Sequence, residues 1–297
     1  MDKRLRFRAG RKLRQMAAIV MLTAMTAGFL FPLVLTSSNS FMSESEITNN
    51  YAALDGVDKA KASSSEFVQL KWIPELVSFS QYYNVLIGRP HFLVMFWNSM
   101  KITVPVIAGQ IAVASLAAYA FAHLRFRFRE SLFFIYIVTM LMPFQVTLVP
   151  NFIIADKLGL LGTYGAIIYP GIFSSFGVFL LRQFMTYVPG SYIEAARVDG
   201  ASHLYIFARI VMPMCSTGVA SLAILVFIDQ WNMVEQPLIF LKEAYQQPLS
   251  VYLSVISEGE RGIAFAASAI YMLPILLIAL YAERYLVEGI QLSGIKG

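Results

Sequence analysis

Reactive side chains are scarce: the 297 residues include one cysteine, Cys215, and three histidines, His91, His123 and His203. A single cysteine excludes an internal disulfide bond, and the histidines are too scattered in the sequence for the ligand spacing of a zinc site. We therefore predict neither a redox centre nor a metal site in this chain.

The sequence also lacks the short motifs of common enzymes. It contains no G-x-x-x-x-G-K-[ST] loop, so it has no backbone cradle and lysine to hold the phosphates of ATP. A G-x-S-x-G or H-E-x-x-H motif is absent as well, and no serine, histidine and carboxylate arrangement indicates a nucleophile. We predict that the chain is not an enzyme by itself and binds no cofactor of its own.

Charged residues are sparse, at 14%, whereas 58% of the residues are hydrophobic. With a mean hydropathy of +0.63, the chain is too apolar for an ordinary soluble domain of this length. The pI near 9.2 could indicate nucleic-acid binding, but the basic residues lie beside hydrophobic runs and do not form a soluble patch. The sequence therefore predicts an all-α integral membrane protein without a nucleic-acid partner.

Six apolar runs are long enough to cross a bilayer, for which about 20 residues suffice. The first could instead be a cleaved secretory signal, but it exceeds the usual apolar core of about 7–15 residues and no convincing cleavage site follows. The third contains Pro143 and Pro150, and interrupted spans are tolerated where they face protein or a wet cavity. The predicted transmembrane helices are approximately residues 16–35, 102–121, 132–154, 163–181, 214–233 and 263–281.

The distribution of basic residues indicates the orientation of these helices. The predicted inner segments contain 15 of the 23 Lys and Arg residues and the predicted outer segments contain 7. Because cytoplasmic loops carry an excess of Lys and Arg, we predict that both termini are cytoplasmic. The external segment either contacts a partner outside the cell or covers the membrane passively. Outside the first helix, the predicted segments are a basic cytoplasmic tail (1–15), a large external segment (36–91), a five-helix core (92–284) and a cytoplasmic C-terminal tail (285–297).

The polar loop at residues 189–213, between the fourth and fifth predicted helices, is unusual in so apolar a chain. Ser191 lies three residues before Glu194, the spacing of a capping box, and predicts the start of a short helix. Gly200 predicts its end, because glycine tolerates the left-handed conformation of a helix C-terminus. A second helix is expected from about Ser202 towards Pro213. Bent surface helices of this kind suit docking into a cleft of another protein.

The same loop carries a longer pattern: E-A-A, three residues, Gly, nine residues, Ile, any residue, an apolar residue and Pro. This pattern resembles the cytoplasmic signature of bacterial ABC-transporter permeases, with Met212 where Leu is usual. A Glu-Ala-Ala tripeptide alone would be only a helix-forming sequence, whereas the whole pattern in a polar loop between two spans is far more specific. Asn98-Ser99, Trp231-Asn232 and the ending Gly294-Ile295-Lys296-Gly297 resemble the binding-protein-dependent carbohydrate permeases, the subgroup of the maltose transporter's second permease.

The resemblance implies the fold of a type I ABC importer permease and a loop that enters a groove on an ATP-hydrolysing subunit. The implied partners are a homologous second permease subunit, two cytoplasmic ATP-binding subunits that hold ATP and Mg, an external solute-binding protein, a sugar and the lipid of a bacterial cell membrane. The coupling-loop residues carried over from the pattern are Glu194, Ala195, Ala196, Asp199, Gly200, Ile210 and Pro213.

Polar residues within or at the ends of the spans are candidates for a transport route, because such groups usually face a bundle interior or a water-filled cavity. Trp231 has an alternative role as an interfacial anchor. A self-contained secondary transporter or channel is the competing function, and the scarcity of ionisable residues in the spans argues against it. The candidate route residues are Asn98, Gln110, Gln145, Asp229, Trp231 and Asn232.

Overall fold

The computed structural model describes residues 2–51, 68–255 and 260–294, and the side chains of residues 12, 14–51, 68–255 and 260–281. Within these ranges the chain forms helices and no strand. It divides into two compact units, one comprising Met1–Pro90 with Ile256–Tyr271 and the other comprising His91–Val255 with Met272–Gly297. Part of the predicted external segment, residues 52–67, and residues 295–297 of the family-like ending lie outside the described residues.

The first unit is built on α1 (Asp2–Asn39), which contains Pro32 and is apolar enough to cross a membrane over Arg14–Asn39. Because α1 begins at Asp2, the residues predicted as a basic tail belong to the same helix as the first span. Two shorter helices follow, α2 (Glu44–Tyr51) and α3 (Ser80–Tyr83), and α3 continues into a π-helical turn at Asn84–Gly88.

Side chains of this unit pack around a small buried cluster. Met42, Ile47 and Tyr51 are buried together, and Phe265 packs against them from the start of α15 (Arg261–Gly294). The Tyr51 and Phe265 rings lie 5.6 Å apart, and Asn39 donates a hydrogen bond to the hydroxyl of Tyr51. The described part of the segment after α1 therefore contributes to a small apolar core of this unit.

The second unit opens with α4 (Pro90–His123), a 34-residue helix that contains Pro105. Next come α5 (Arg129–Met140) and α6 (Phe144–Lys157), which are bent by 100° relative to each other. The break lies at Pro143, because the residue before a proline avoids the helical conformation and Pro143 itself is extended, with ψ 140°. The sequence predicted an interrupted span here, and the structure has two helices that meet at a right-angled turn.

The next eight α-helices of this unit are 3 to 16 residues long. The fourth predicted span corresponds to α7 (Gly165–Ile172) and α8 (Ser175–Thr186). After the polar loop, which forms α9 (Gly190–Val198), α10 (His203–Ile206) and α11 (Met212–Met214), comes the fifth span, α12 (Ser216–Trp231). Two short helices, α13 (Glu235–Phe240) and α14 (Leu249–Ser254), precede α15.

The described residues contain four helices long and apolar enough to cross a membrane, and six if each of two bent pairs is one span. The prediction of six transmembrane helices agrees with the larger count. The last helix, α15, contains Pro274 and extends through Gly294, so most of the predicted C-terminal tail is a continuation of the sixth span.

Glycines allow the helices of the second unit to approach closely. A Cβ atom on Gly109 would lie 2.6 Å from the side chain of Ile172, and one on Gly218 would lie 2.5 Å from Cγ of Phe184. Small residues at helix contacts have this effect in membrane proteins, and the composition of the second span predicts it. Leu181 lies in the resulting core and is fully buried.

Candidate functional site

The first half of the polar loop is α9, and its N-terminus differs from the prediction. The helix begins at Gly190 after Pro189, whose φ of −62° and ψ of 132° suit the residue before a helix, and in the described part of the chain no side chain caps this end. Ser191 and Glu194 both lie inside the helix and are exposed. The predicted capping pair is therefore wrong, because the helix starts two residues too early for Ser191 to be the cap.

The C-terminus of α9 is closed as predicted, by a left-handed glycine. Gly200 has φ +81°, its amide donates to the carbonyl of Arg197 at 3.0 Å, and the amide of Ala201 donates to the carbonyl of Ala196 at 2.9 Å. These two bonds form a Schellman motif. Ala196 and Ala201 also pack against the same hydrophobic core, the apolar contact that commonly accompanies this motif.

The second half of the loop starts at Ser202, as the sequence predicts. The Ser202 hydroxyl oxygen accepts a hydrogen bond from the amide of Tyr205 at 3.3 Å and caps α10. A π-helical turn at Phe207–Val211 follows. Pro213 explains this turn, because proline has no N–H to donate to the carbonyl four residues earlier. The chain then bends by 76° between His203–Met214 and α12.

The two short helices are anchored to the core of the unit on one side. Ile193 of α9 and Ile206 of α10 are buried in a cluster that also contains Leu181 and Met185 of α8, and the half-buried Ile210 packs against it. Ile210 of the family-like pattern therefore has a structural role, because it holds the second helix against the transmembrane bundle.

A hydrogen-bonded chain connects the loop to α4. Nη2 of Arg197 lies 2.8 Å from Nε2 of His203, and Nδ1 of His203 lies 3.4 Å from the hydroxyl of the buried Tyr119. Since a guanidinium can only donate, Nε2 is the acceptor and Nδ1 carries the proton that faces Tyr119. Sequence reasoning missed these three residues, because only the bend at Gly200 brings them together.

The outward side of the loop exposes apolar side chains. Val198 is 87% exposed and Leu204 is 69% exposed, with Tyr192 and Tyr205 also more than half exposed. Glu194, Ala195 and Asp199 of the pattern are exposed on the same loop, as is Pro213. Exposed apolar groups rimmed by charged residues mark surfaces that bind another protein.

A cavity of about 720 Å³ lies elsewhere in the second unit. Asp229 and Gln110, two of the candidate route residues, line it together with Thr139, Ser174, Ser175 and Gln230. Gln110 is buried except for 3% of its surface, so its amide belongs to the wall of the cavity. This volume lies within the range of about 300–1,000 Å³ that is usual for small-molecule sites.

Two other candidates, Gln145 and Asn232, are exposed but outside the cavity wall. Gln145 donates a hydrogen bond to a carboxylate oxygen of Glu235 at 3.3 Å, and Asn232 donates to the carbonyl of Ile228 at 2.7 Å. The first contact joins α6 to α13, and the second closes the last turn of α12.

Asn98 and Trp231 lie in the core of the unit. Asn98 is 1% exposed and donates to the carbonyls of Tyr245 and Gln247, at 2.7 and 3.2 Å. Trp231 is fully buried, stacks on Phe227 with ring centres 5.2 Å apart and contacts other aromatic rings of the unit. In this chain Asn98 therefore fixes a loop, and Trp231 is a core side chain instead of an exposed interfacial anchor.

Residues 110–291, which include both the loop and the cavity, match the family of binding-protein-dependent transport system inner membrane components. The chain belongs to this family. The arabinooligosaccharides transport system permease protein of Halalkalibacterium halodurans is 27% identical over 77% of this chain and 84% of the relative. The sn-glycerol-3-phosphate transport system permease protein of Pectobacterium atrosepticum is 31% identical over 67% of this chain and 73% of the relative.

The fold of this inner membrane component is that of an ABC importer permease. A chain in the crystal structure of a bacterial ABC transporter involved in the import of the acidic polysaccharide alginate superimposes with a TM-score of 0.78, at 22% identity, over 93% of this chain and 97% of that chain. The architecture expected from the sequence is thereby confirmed. The orientation of the termini stays a prediction from the basic residues.

Proposed function

We propose that this inner membrane component is one permease subunit of an ATP-driven sugar importer. It forms half of a transmembrane pathway, and a homologous second permease forms the other half. Two ATP-binding subunits on the cytoplasmic side hold ATP and Mg and carry out the hydrolysis. An external solute-binding protein delivers a sugar or oligosaccharide, and the whole assembly lies in the inner membrane of a bacterium.

The observation that carries the proposal is the bent helix pair at residues 189–213. One side of the pair is packed into the core through Ile193 and Ile206, and the other exposes Val198 and Leu204. Such a pair can connect a partner at its exposed side to the transmembrane helices, because a displacement there would move the side chains packed behind it. We assign Glu194, Ala195 and Asp199 to the face that meets the ATPase.

A sugar is the proposed cargo because the cavity has the chemistry that carbohydrates need. Its wall combines hydrogen-bonding groups, such as Gln110 and Ser175, with the aromatic rings of Phe144, Phe173 and Phe176. Small-molecule sites typically combine apolar and aromatic walls with a few placed polar groups. The relative named for arabinooligosaccharides supports the same substrate class.

The test is to break the connection between the loop and the ATPase without unfolding the transmembrane helices. Gly200→Pro removes the left-handed C-terminus of α9, and Glu194→Lys reverses a charge on its exposed face. We expect both variants to reach the membrane, to lose uptake, and either to lose the co-purifying ATPase or to lose substrate-stimulated ATP hydrolysis.

Gly190→Ala is the matched control, because Gly190 lies outside the left-handed region and no described atom lies within 4 Å of its Cβ position. It should behave as the unmodified protein. Normal uptake, normal ATPase binding and normal hydrolysis in both test variants would refute the proposed coupling.

A further inference from the structure

The wall of the cavity in the second unit is polar but carries little charge. Among the described residues that line it, Asp229 is the one charged side chain. The other polar groups are amides and hydroxyls, including Gln110, Ser174, Ser175 and Gln230. This half of the pathway therefore presents one negative charge and no positive one at the cavity.

The carboxylate of Asp229 is exposed at the wall and can accept several hydrogen bonds. Gln230 donates from Nε2 to a carboxylate oxygen of Asp229 at 3.1 Å. The remaining amide oxygen of Gln230, Oε1, is buried and has no hydrogen-bond partner among the described residues. Asp229 is therefore the member of this pair that a solute in the cavity can reach.

Gln110 faces the same cavity from α4, and a glycine makes room for it. A Cβ atom on Gly177 of α8 would lie 2.8 Å from Nε2 of Gln110. The absence of a side chain at residue 177 therefore lets the amide occupy its place at the contact of the two helices. The wall gains a polar group from a helix face that is otherwise packed.

These groups distinguish between classes of solute. Sugar hydroxyls can donate to the carboxylate of Asp229, whereas an ionised phosphate or carboxylate group offers only acceptors and is repelled by Asp229. We infer that this cavity takes an uncharged polyhydroxylated solute, such as a neutral oligosaccharide, and discriminates against anionic ones, with Asp229 as the determining residue. The inference rests on the proposed function and specifies its substrate class.

The names of similar proteins leave this choice open. One relative is named for arabinooligosaccharides, another for sn-glycerol 3-phosphate, and the alginate transporter imports an acidic polysaccharide. The names of proteins similar to this chain thus include both neutral and anionic cargo. The charge at the cavity wall of this chain is what selects between them.

The charge of the cavity can be measured in the purified, assembled transporter without knowing the cargo. Ser174→Cys places a thiol in the wall, and Thr186→Cys places one at the exposed end of the same helix, both in a Cys215→Ala background. A cationic and an anionic methanethiosulfonate reagent are compared at each position. We expect the ratio of the cationic to the anionic labelling rate to be about three- to tenfold higher at residue 174 than at residue 186.

Substitutions at Asp229 then assign the effect. Asp229→Asn should abolish the preference at residue 174 and Asp229→Glu should keep it. Asp156→Asn, which removes an exposed carboxylate outside the cavity wall, is the matched control and should also keep it. An equal or reversed preference in the unmodified cavity would overturn the inference, as would a preference that survives Asp229→Asn.

Protection of the Ser174→Cys thiol tests the substrate class itself. Arabinotriose, maltotriose and xylotriose are the neutral probes, and glycerol 3-phosphate and galacturonate are the anionic ones. Slower labelling with a neutral probe, and unchanged labelling with the anions, supports the inference. Protection by an anion, or by none of the probes, overturns it. ATPase co-purification is measured on the same samples, so a failure of the importer proposal is recognised separately from a failure at the cavity.

Discussion

The guanidinium of Arg197 and the imidazole of His203 meet across the bend at Gly200, with 2.8 Å between Nη2 and Nε2. The backbone sets the bend through the left-handed conformation of Gly200, and this side-chain pair joins the two helices on either side of it. His203 also reaches Tyr119 of α4. A single imidazole therefore connects both halves of the loop to a transmembrane helix.

We predict that Arg197 and His203 act as a unit. Arg197→Ala and His203→Ala should each weaken binding of the ATPase subunit. The double variant should bind the ATPase with the same affinity as the single variant that binds it less tightly. The expected coupling energy is about 0.5–1 kcal/mol, as for a hydrogen bond to a charged group that is partly exposed to water. The measurement is the Kd of the ATPase for the detergent-solubilised permease in a double-mutant cycle. Additive losses would mean that the contact has no role in docking.

Gly200 should be sensitive to substitution for conformational reasons alone. No described atom lies within 4 Å of its Cβ position, so a methyl group has space, but φ +81° is costly for other residues. Gly200→Ala should cost about 1–2 kcal/mol in the docked conformation and reduce uptake, while Gly200→Asn should cost less, because asparagine enters the left-handed region more readily. Uptake by membrane vesicles distinguishes the two. Equal activity of both variants and the unmodified protein would contradict the assigned conformation.

The ends of the loop helices show what local sequence can and cannot predict. Gly200 and Ser202 were assigned correctly, because a left-handed C-terminus and a serine cap depend on only a few neighbouring residues. The Ser191 and Glu194 pair was assigned wrongly, since Pro189 competes for the same helix start. When two possible helix starts overlap, a small difference in free energy decides which one forms. The sequence pattern alone does not give that difference.

The candidate route residues show the limit set by tertiary packing. Asn98 and Trp231 were selected as polar or aromatic groups at the ends of spans, but Asn98 binds two loop carbonyls and Trp231 stacks in the core. Asp229 and Gln110 were selected by the same rule and do line a cavity. The helical period alone cannot separate these cases, because the bend after α5 and the glycine contacts of α8 determine which face is open.

Gly218 of α12 should not tolerate a methyl group. A Cβ atom there would lie 2.5 Å from Cγ and 2.9 Å from Cβ of Phe184, atoms close to the backbone of α8 that cannot move alone. Gly218→Ala should lower the thermal stability of the detergent-solubilised protein, since overpacking costs about 1–3 kcal/mol. Gly28→Ala is the helical control, because no described atom approaches its Cβ position. An unchanged melting temperature for Gly218→Ala would show that α8 and α12 separate easily.

The predicted orientation can be tested by thiol labelling in intact cells. In a Cys215→Ala background, Ser64→Cys should react with an impermeant reagent from outside, and Ser293→Cys should react only after lysis. Ser64 lies outside the described residues, and Ser293 belongs to the last turn of α15. The Cys215→Ala protein without an added cysteine gives the background. Labelling of Ser293→Cys in intact cells would overturn the prediction that the C-terminus is cytoplasmic.

The ion pair between Arg89 and Glu260 should make the first unit sensitive to acid. Arg89 donates from Nη1 to Glu260 at 2.9 Å and from Nη2 to its other oxygen, and these hydrogen bonds lower the pKa of Glu260 below its ordinary value. Because the folded-state pKa is lower than the unfolded one, the pair stabilises the fold above the ordinary glutamate pKa of about 4.3. That contribution is lost as the pH falls through the pKa of folded Glu260.

Glu260→Gln should therefore reduce the free energy of unfolding at pH 7 but have little effect once the pH is below the folded-state pKa of Glu260. Both side chains are about one third exposed, with 35% for Arg89 and 33% for Glu260, so the expected loss is at most about 1 kcal/mol. Glu75→Gln is the matched control, because the carboxylate of Glu75 is 71% exposed in its pair with Lys71 and its loss should change little. Thermal denaturation of the full chain in detergent at both pH values gives the comparison. A loss for Glu260→Gln that is equal at the two pH values would contradict an ionic origin, because only the charged carboxylate is stabilised by Arg89.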